Sequence, residues 1–206
     1  MRKSQLFCLF FALSMSLSLF SLENQTRQSP SSVISSPQLR KSIATIQKLP
    51  EGKELIDNVL SEGRIEVRAV NTALSREFGA YWDSANRIVF VHYDANQSEG
   101  AMIASILFEL HNALVSKKLA YYDDQAFAGR IGEKAYVEAI EHLEYKNSLS
   151  ASKIADKGIR IGLFPKGAHL PVYSNFQEHF YYQQISGHSA VIKQNYTQIA
   201  RMRRHT

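Results

Sequence analysis

Residues 98–117, SEGAMIASILFELHNALVSK, decide how the rest of this 206-residue chain is read. Ser98 is a good N-cap, Glu99 suits the first turn, and Lys117 and Lys118 suit the last, so the stretch predicts one helix. It is apolar on nearly every side, with Ile103, Ile106, Leu107, Phe108, Leu110, Leu114 and Val115. A helix of that kind is buried rather than amphipathic. Placing residues at about 100° per step gathers Ser105, Glu109, Asn112 and Ser116 within about 60° of one another. They form one polar stripe on an apolar rod. Glu109 is therefore an ionisable group inside a core, which is costly unless it is paired. His111 points away from that stripe and reads as a hydrogen-bonded core histidine.

Outward from this helix the chain predicts an α+β fold, mostly helical. On the N-terminal side, residues 65–70 alternate as a half-buried strand. Residues 81–93 read as a β-hairpin around Ser84-Ala-Asn86, its second strand apolar on both faces. Two short helical pieces, broken at Pro50, occupy 39–60. Beyond residue 117, helices are expected over about 125–147, 151–157 ending at Gly158, 175–185 and 190–203. A small antiparallel sheet or hairpin is thus followed by a bundle of about five helices.

The N-terminus has a different character. Arg2 and Lys3 precede a 15-residue apolar run, Leu6 to Phe20. Such a run fits a signal peptide and is short of the ~20 residues a bilayer span needs. The chain is expected to divide into a signal peptide (1–22), a Ser/Pro/Gln-rich flexible linker (23–38) and one globular domain (39–206), with export to the periplasm or the medium. The only cysteine, Cys8, falls in the signal segment. The exported domain would then have no disulfides, no cysteine nucleophile and no thiolate metal site, and would rely on its core.

The formal charge of +5 falls to +3 without Arg2 and Lys3, and the excess sits in the Arg201–Thr206 tail, read as a solvated terminus. Basic residues do not interleave with aromatics as single-strand binders require, so no nucleic-acid partner is expected. Membrane contact is expected only through the signal segment. The aromatic series Tyr173, Phe176, Phe180, Tyr181 and Tyr182 reads as core with a wet rim, of the kind that suits a protein partner.

A strand-like hairpin followed by a buried helix with Phe108-Glu-Leu-His-Asn112-Ala113 resembles the zincin metallopeptidases. In that family a strand runs beside a helix bearing His-Glu-x-x-His, whose histidines share a face at i and i+4. The resemblance covers about residues 65–147. It makes Glu109 the counterpart of the general base, with Phe108 and Asn112 at the two histidine positions. Phenylalanine cannot ligate zinc and asparagine is a poor ligand, so the resemblance implies a scaffold that has lost its metal site, holds no cofactor, and acts by binding a protein partner.

The alternative is a metal-dependent hydrolase with a rebuilt site. Residues 128, 131, 135, 139 and 143 form an apolar face on the second helix, with His142 within it and Glu138 at its edge. If that face packs on the first helix, Glu109, Glu138 and His142 converge as a one-histidine, two-carboxylate site. Failing that, Glu138 and His142 are an i,i+4 pair at the edge of a packed seam, and Glu109 is satisfied by a backbone edge or a cation such as Arg68. Glu133, Glu141 and Glu144 read as solvated charges on the outer side, and His188 as a cap in the Ser186-Gly187-His188 turn. The remaining reading is an exported helical scaffold of unassigned role.

Overall fold

The computed structural model describes residues 33–203. The expected signal peptide with Cys8, the expected linker as far as residue 32, and the last three residues lie outside the described residues. The described chain is mostly helical α+β. Strand β1 (Ile34–Ser35) leads through a 3-10 turn into α1 (Arg40–Gln47) and α2 (Pro50–Ser61). Then come β2 (Glu66–Val70), α3 (Ala73–Phe78), β3 (Ala80–Asp83) and β4 (Ile88–His92). Five helices complete it: α4 (Glu99–Leu114), α5 (Ser116–Phe127), α6 (Glu133–Arg160), α7 (Phe176–Ser186) and α8 (His188–Arg203). No helix among the described residues is long and apolar enough to cross a membrane.

The sheet is mixed, where an antiparallel one was expected. Its order is β1-β2-β4-β3. β1, β2 and β4 run parallel, and only β3 is antiparallel, to β4. The chain leaves β2 through α3, which carries it past the neighbouring position to the outer edge. The β3–β4 hairpin then folds β4 back into the gap beside β2. The hairpin itself is as expected. Its turn is held by Asp83, which accepts from the Asn86 amide at 3.1 Å. Arg87 has a positive φ of 54°, and its guanidinium anchors that strained position on the carbonyls of Arg64 and Val59.

The segment expected to end as a flexible linker is partly structured. Ile34 and Ser35 pair with Glu66 and Val67, and the Ser36 hydroxyl accepts from the Ala69 amide at 3.0 Å. Three apolar or small residues in a Ser/Pro context carry too little periodicity to be read as a strand. Their partner edge on β2 supplies the order.

Helix α4 is the axis of the domain. Ser98 caps it by accepting from the Ala101 amide at 3.1 Å. Val67, Val89, Val91 and Trp82 of the sheet, and Leu55, Ile56 and Val59 of α2, belong with it to one buried core, which continues into Ala151 and Ala155 of α6. A second, smaller core joins α5, α6 and α8 through Leu119, Tyr136, Val137, Ile140, Ile192 and Ile199.

The expected helix to residue 117 breaks at Val115, and α5 then occupies residues expected to be partly irregular. The helix expected from about 125 starts instead at Glu133, after α5 has ended at Phe127, and from there it is continuous with the one expected over 151–157 as a single helix, α6. Its serines do not interrupt it because they are satisfied in place. Ser148 donates to the Tyr145 carbonyl at 2.7 Å, and Ser152 to the Leu170 carbonyl at 3.1 Å. Gly158 does not stop the helix either. It leaves room for Phe164, whose ring would lie 2.2 Å from an added Cβ.

Candidate functional site

Ser105, Glu109 and Asn112 form the polar stripe on α4 as their spacing predicts and are sealed, whereas Ser116 follows the break at Val115 and is half-buried. Ser105 is 2 % exposed, and Glu109 and Asn112 are 0 % exposed. The Asn112 amide donates to Glu109 Oε2 at 3.0 Å, and the Asn112 carbonyl oxygen accepts from Asn147 of α6 at 2.8 Å. Ser116 donates to the Asn112 backbone carbonyl at 3.4 Å and accepts from Trp82 Nε1 at 2.7 Å. His111 sits apart and buried, its Nδ1–H on the Leu107 carbonyl at 2.7 Å. Burial holds its imidazole toward the neutral form, against the opposing pull of that hydrogen bond.

What faces this stripe from α6 differs from expectation. Glu138 and His142 are exposed, and the His142 ring stacks on Phe176 with centroids 4.4 Å apart. They do not meet Glu109. Arg68, the other expected partner of Glu109, instead grips Glu66 with two contacts of 2.8 Å. The α6 residues turned inward are Glu141, Glu144 and Asn147, which are 0 %, 3 % and 6 % exposed. Glu141 and Glu144 are therefore not the solvated charges that were expected.

The sequence holds a signal that finds them. Tyr136, Val137 and Ile140 before this stretch, and Ala151 and Ala155 after it, lie on one helical phase. The line between them passes through positions 141, 144 and 147. Counting carboxylates as necessarily exterior shifts the apparent face toward Ala135, Ala139 and Leu143.

Two histidines from beyond α6 close the cluster. The Gly187 hinge, in the left-handed region at φ 90°, ends α7 and starts α8 so that His188 enters the interior rather than capping a helix. His188 Nδ1 lies 3.1 Å from Glu141 Oε1, and its Nε2 lies 3.4 Å from Glu144 Oε2. His179 of α7 places Nε2 3.2 Å from Glu141 Oε2. Ser189 donates to Glu141 Oε1 at 2.6 Å.

The two carboxyl groups consequently titrate in opposite directions. Burial alone would raise Glu141, but the hydrogen bonds from His179, His188 and Ser189 outweigh it and hold the group down at about 2. Burial pushes Glu144 up to about 8; His188 opposes this, while the charges of Glu141 and Glu109 add to it. Among the described residues, Glu144 Oε1 is buried without a hydrogen-bond partner. One ionised carboxylate, one protonated carboxyl and a bridging imidazole can share this space, as like-charged acids do when water is excluded.

No family model, curated protein or solved structure matches the chain. The site must be read from its own chemistry.

Its donors are oxygen and imidazole nitrogen. Glu141, Glu144 and His188 each offer one ligand atom, and these atoms lie within 4.8 Å of one another. A small cavity between α5, α6 and α8 is lined elsewhere, by Leu119, Asp123, Tyr136, Ile140, Ile192 and Asn195. It does not reach Glu109 or the two histidines.

Proposed function

We propose that this is an exported protein whose domain is zincin-like, has lost peptidase action, and works by binding another protein. The observation that carries the reading is the state of Glu109. In a zincin arrangement this residue would have to meet a metal-bound water and a substrate carbonyl. Here it is fully buried and engaged by Asn112. Phe108, at the first histidine position, is 7 % exposed and part of the core. The hydrolytic position has become packing.

Two further features support the reading. The motif helix runs beside β3 and β4, and Trp82 of β3 is hydrogen-bonded to Ser116 just past its end. Helix α7 turns the polar His179 and Gln183 inward and exposes apolar and aromatic side chains on its outer side, with Tyr181 59 %, Tyr182 36 % and Ile185 62 % exposed. Aromatic residues at a rim favour protein contacts, because they bring large area at small entropic cost.

The test has two arms. The exported chain, supplied with Zn²⁺ or Mn²⁺ and a fluorogenic peptide library, is expected to give no turnover above blank. Turnover abolished by Glu109→Gln overturns the reading. In the second arm, wild-type protein immobilised in envelope extract is expected to retain a protein that the double variant Tyr181→Ser, Ile185→Ser does not. Equal retention by both removes α7 as the binding face.

A further inference from the structure

We infer that Glu141, Glu144 and His188, with Glu109 beside them, form a closed binding site for one divalent first-row metal ion that clips α8 to α6. This goes beyond the binding role proposed above. Of the positions of the peptidase motif it takes Glu109 beside the ligands and Asn112 as the residue that holds Glu109; Phe108 contributes nothing to it.

The donor set comes first. Two carboxylates and an imidazole with ligand atoms within 4.8 Å of one another are near enough for small rotamer changes to bring them to the ~2.0–2.2 Å that oxygen and nitrogen ligands adopt around such an ion. Imidazole and carboxylate together suit Mn²⁺, Fe²⁺ and Zn²⁺. Ca²⁺ and Mg²⁺ prefer sets made of oxygen alone, and Cu⁺ prefers sulfur.

A second observation is independent of the acidic clustering. Glu144 is 3 % exposed, and its Oε1 has no hydrogen-bond partner among the described residues. A buried carboxyl oxygen without a partner is unfavourable. Such an oxygen, on a carboxyl whose other oxygen lies against His188, offers lone pairs that a cation would fill. Among the described residues, the ion pairs of Glu141 and Glu144 are with histidine.

The shell around the ligands is already built. His179 and Ser189 fix the Glu141 carboxylate. Asn112, itself held by Asn147, fixes Glu109. Partners of this kind orient ligands and tune affinity.

The role follows from the burial. His188 is 2 % exposed and Glu141 0 %, so no position is left open for a substrate, as in structural rather than catalytic sites. Glu141 and His188 are 47 residues apart in the chain, and a bond between them closes a long loop. The chain has only Cys8, so a disulfide cannot do this within one copy. A metal clip supplies the cross-link instead, and its binding energy becomes folding energy.

The experiment is metal analysis by mass spectrometry with thermal unfolding. It uses the exported chain as isolated, then stripped with chelator, then given Mn²⁺, Fe²⁺ or Zn²⁺ alone, with Ca²⁺ and Mg²⁺ as controls. The expected result is one transition ion per chain and an unfolding midpoint raised by several degrees, with no response to the controls. Glu144→Gln, which is isosteric, and His188→Gln are expected to lose the ion while keeping the wild-type circular dichroism. Glu138→Gln and His142→Gln are expected to keep it. His179→Ala should weaken binding about 10- to 100-fold.

Failure of the wild-type chain to take up any of the three ions at micromolar concentration overturns the proposal. So does unchanged affinity in Glu144→Gln. If His188→Gln does not fold, Glu144→Gln decides alone. None of these readouts involves peptide turnover or partner capture, so they fail or succeed separately from the binding role.

Discussion

Helix α6 carries two acid–histidine arrangements whose centres lie about 110° apart around its axis. Glu138 and His142, four residues apart, stand exposed, and the imidazole lies on the Phe176 ring. Glu141 and Glu144 share the inner side with His188, His179 and Ser189, all buried. The residue types are the same and the environments are opposite. Water solvates the first pair, whereas the second depends on every partner it has. The difference teaches that candidate chemistry on a helix is assigned by phase before it is assigned by residue type.

The sharpest way to break this comparison is to remove one acid from each arrangement. Glu141→Ala leaves His188, His179 and Ser189 without their common acceptor, and a loss of about 3–5 kcal/mol in denaturant unfolding is expected, as when one member of a buried ion pair is deleted. Glu138→Ala should leave the midpoint unchanged. Comparable effects from the two substitutions would mean that the inner cluster is not structurally distinct.

Protonation sharpens the comparison next. In the chelator-treated chain, Glu144 stays protonated when folded up to about 8 but ionises from 4.5 when unfolded. The folded state then binds more protons than the unfolded one, so stability should decline as pH rises from 4.5 to 8. Glu141 acts in the opposite sense. Its contribution is present above 4.5 and is lost as pH falls toward about 2. Unfolding midpoints measured across pH 5 to 8 should therefore slope downward in wild type and flatten in Glu144→Gln. An equal slope in both would assign the decline to other groups.

Smaller effects separate the connecting stripe from the surface. Asn112→Ala removes a donor to Glu109 and the acceptor of Asn147, and about 1–3 kcal/mol is expected. His142→Ala loses a stacking contact on Phe176, which at an exposed position is worth about 1 kcal/mol or less. A reversal of that order would place the functional stress of α6 on its outer side.

Much of this was legible in the chain. The apolar rod over residues 98–117 marks a central buried helix, and its spacing places Ser105, Glu109, Asn112 and Ser116 on one stripe. The hairpin at 81–93 is a local feature and appears as read, and the break at Ser186-Gly187-His188 is local too. The inner face of α6 was recoverable only by allowing carboxylates into a core, because the apolar residues on either side define the phase. The continuity of α6 through Ser148, Ser150 and Ser152 was not legible, since the Leu170 carbonyl that satisfies Ser152 comes from a distant loop.

Hydrophobic periodicity along one segment, a property that needs no partner, determined by itself that this chain has a buried central helix, a hairpin ahead of it and a helical remainder. Tertiary structure alone decided which way α6 rolls, that β4 inserts between β2 and β3, and that histidines from α7 and α8 reach the acids of α6. Those outcomes depend on groups far apart in sequence satisfying one another where water is excluded, and a pattern read along the chain does not contain that pairing.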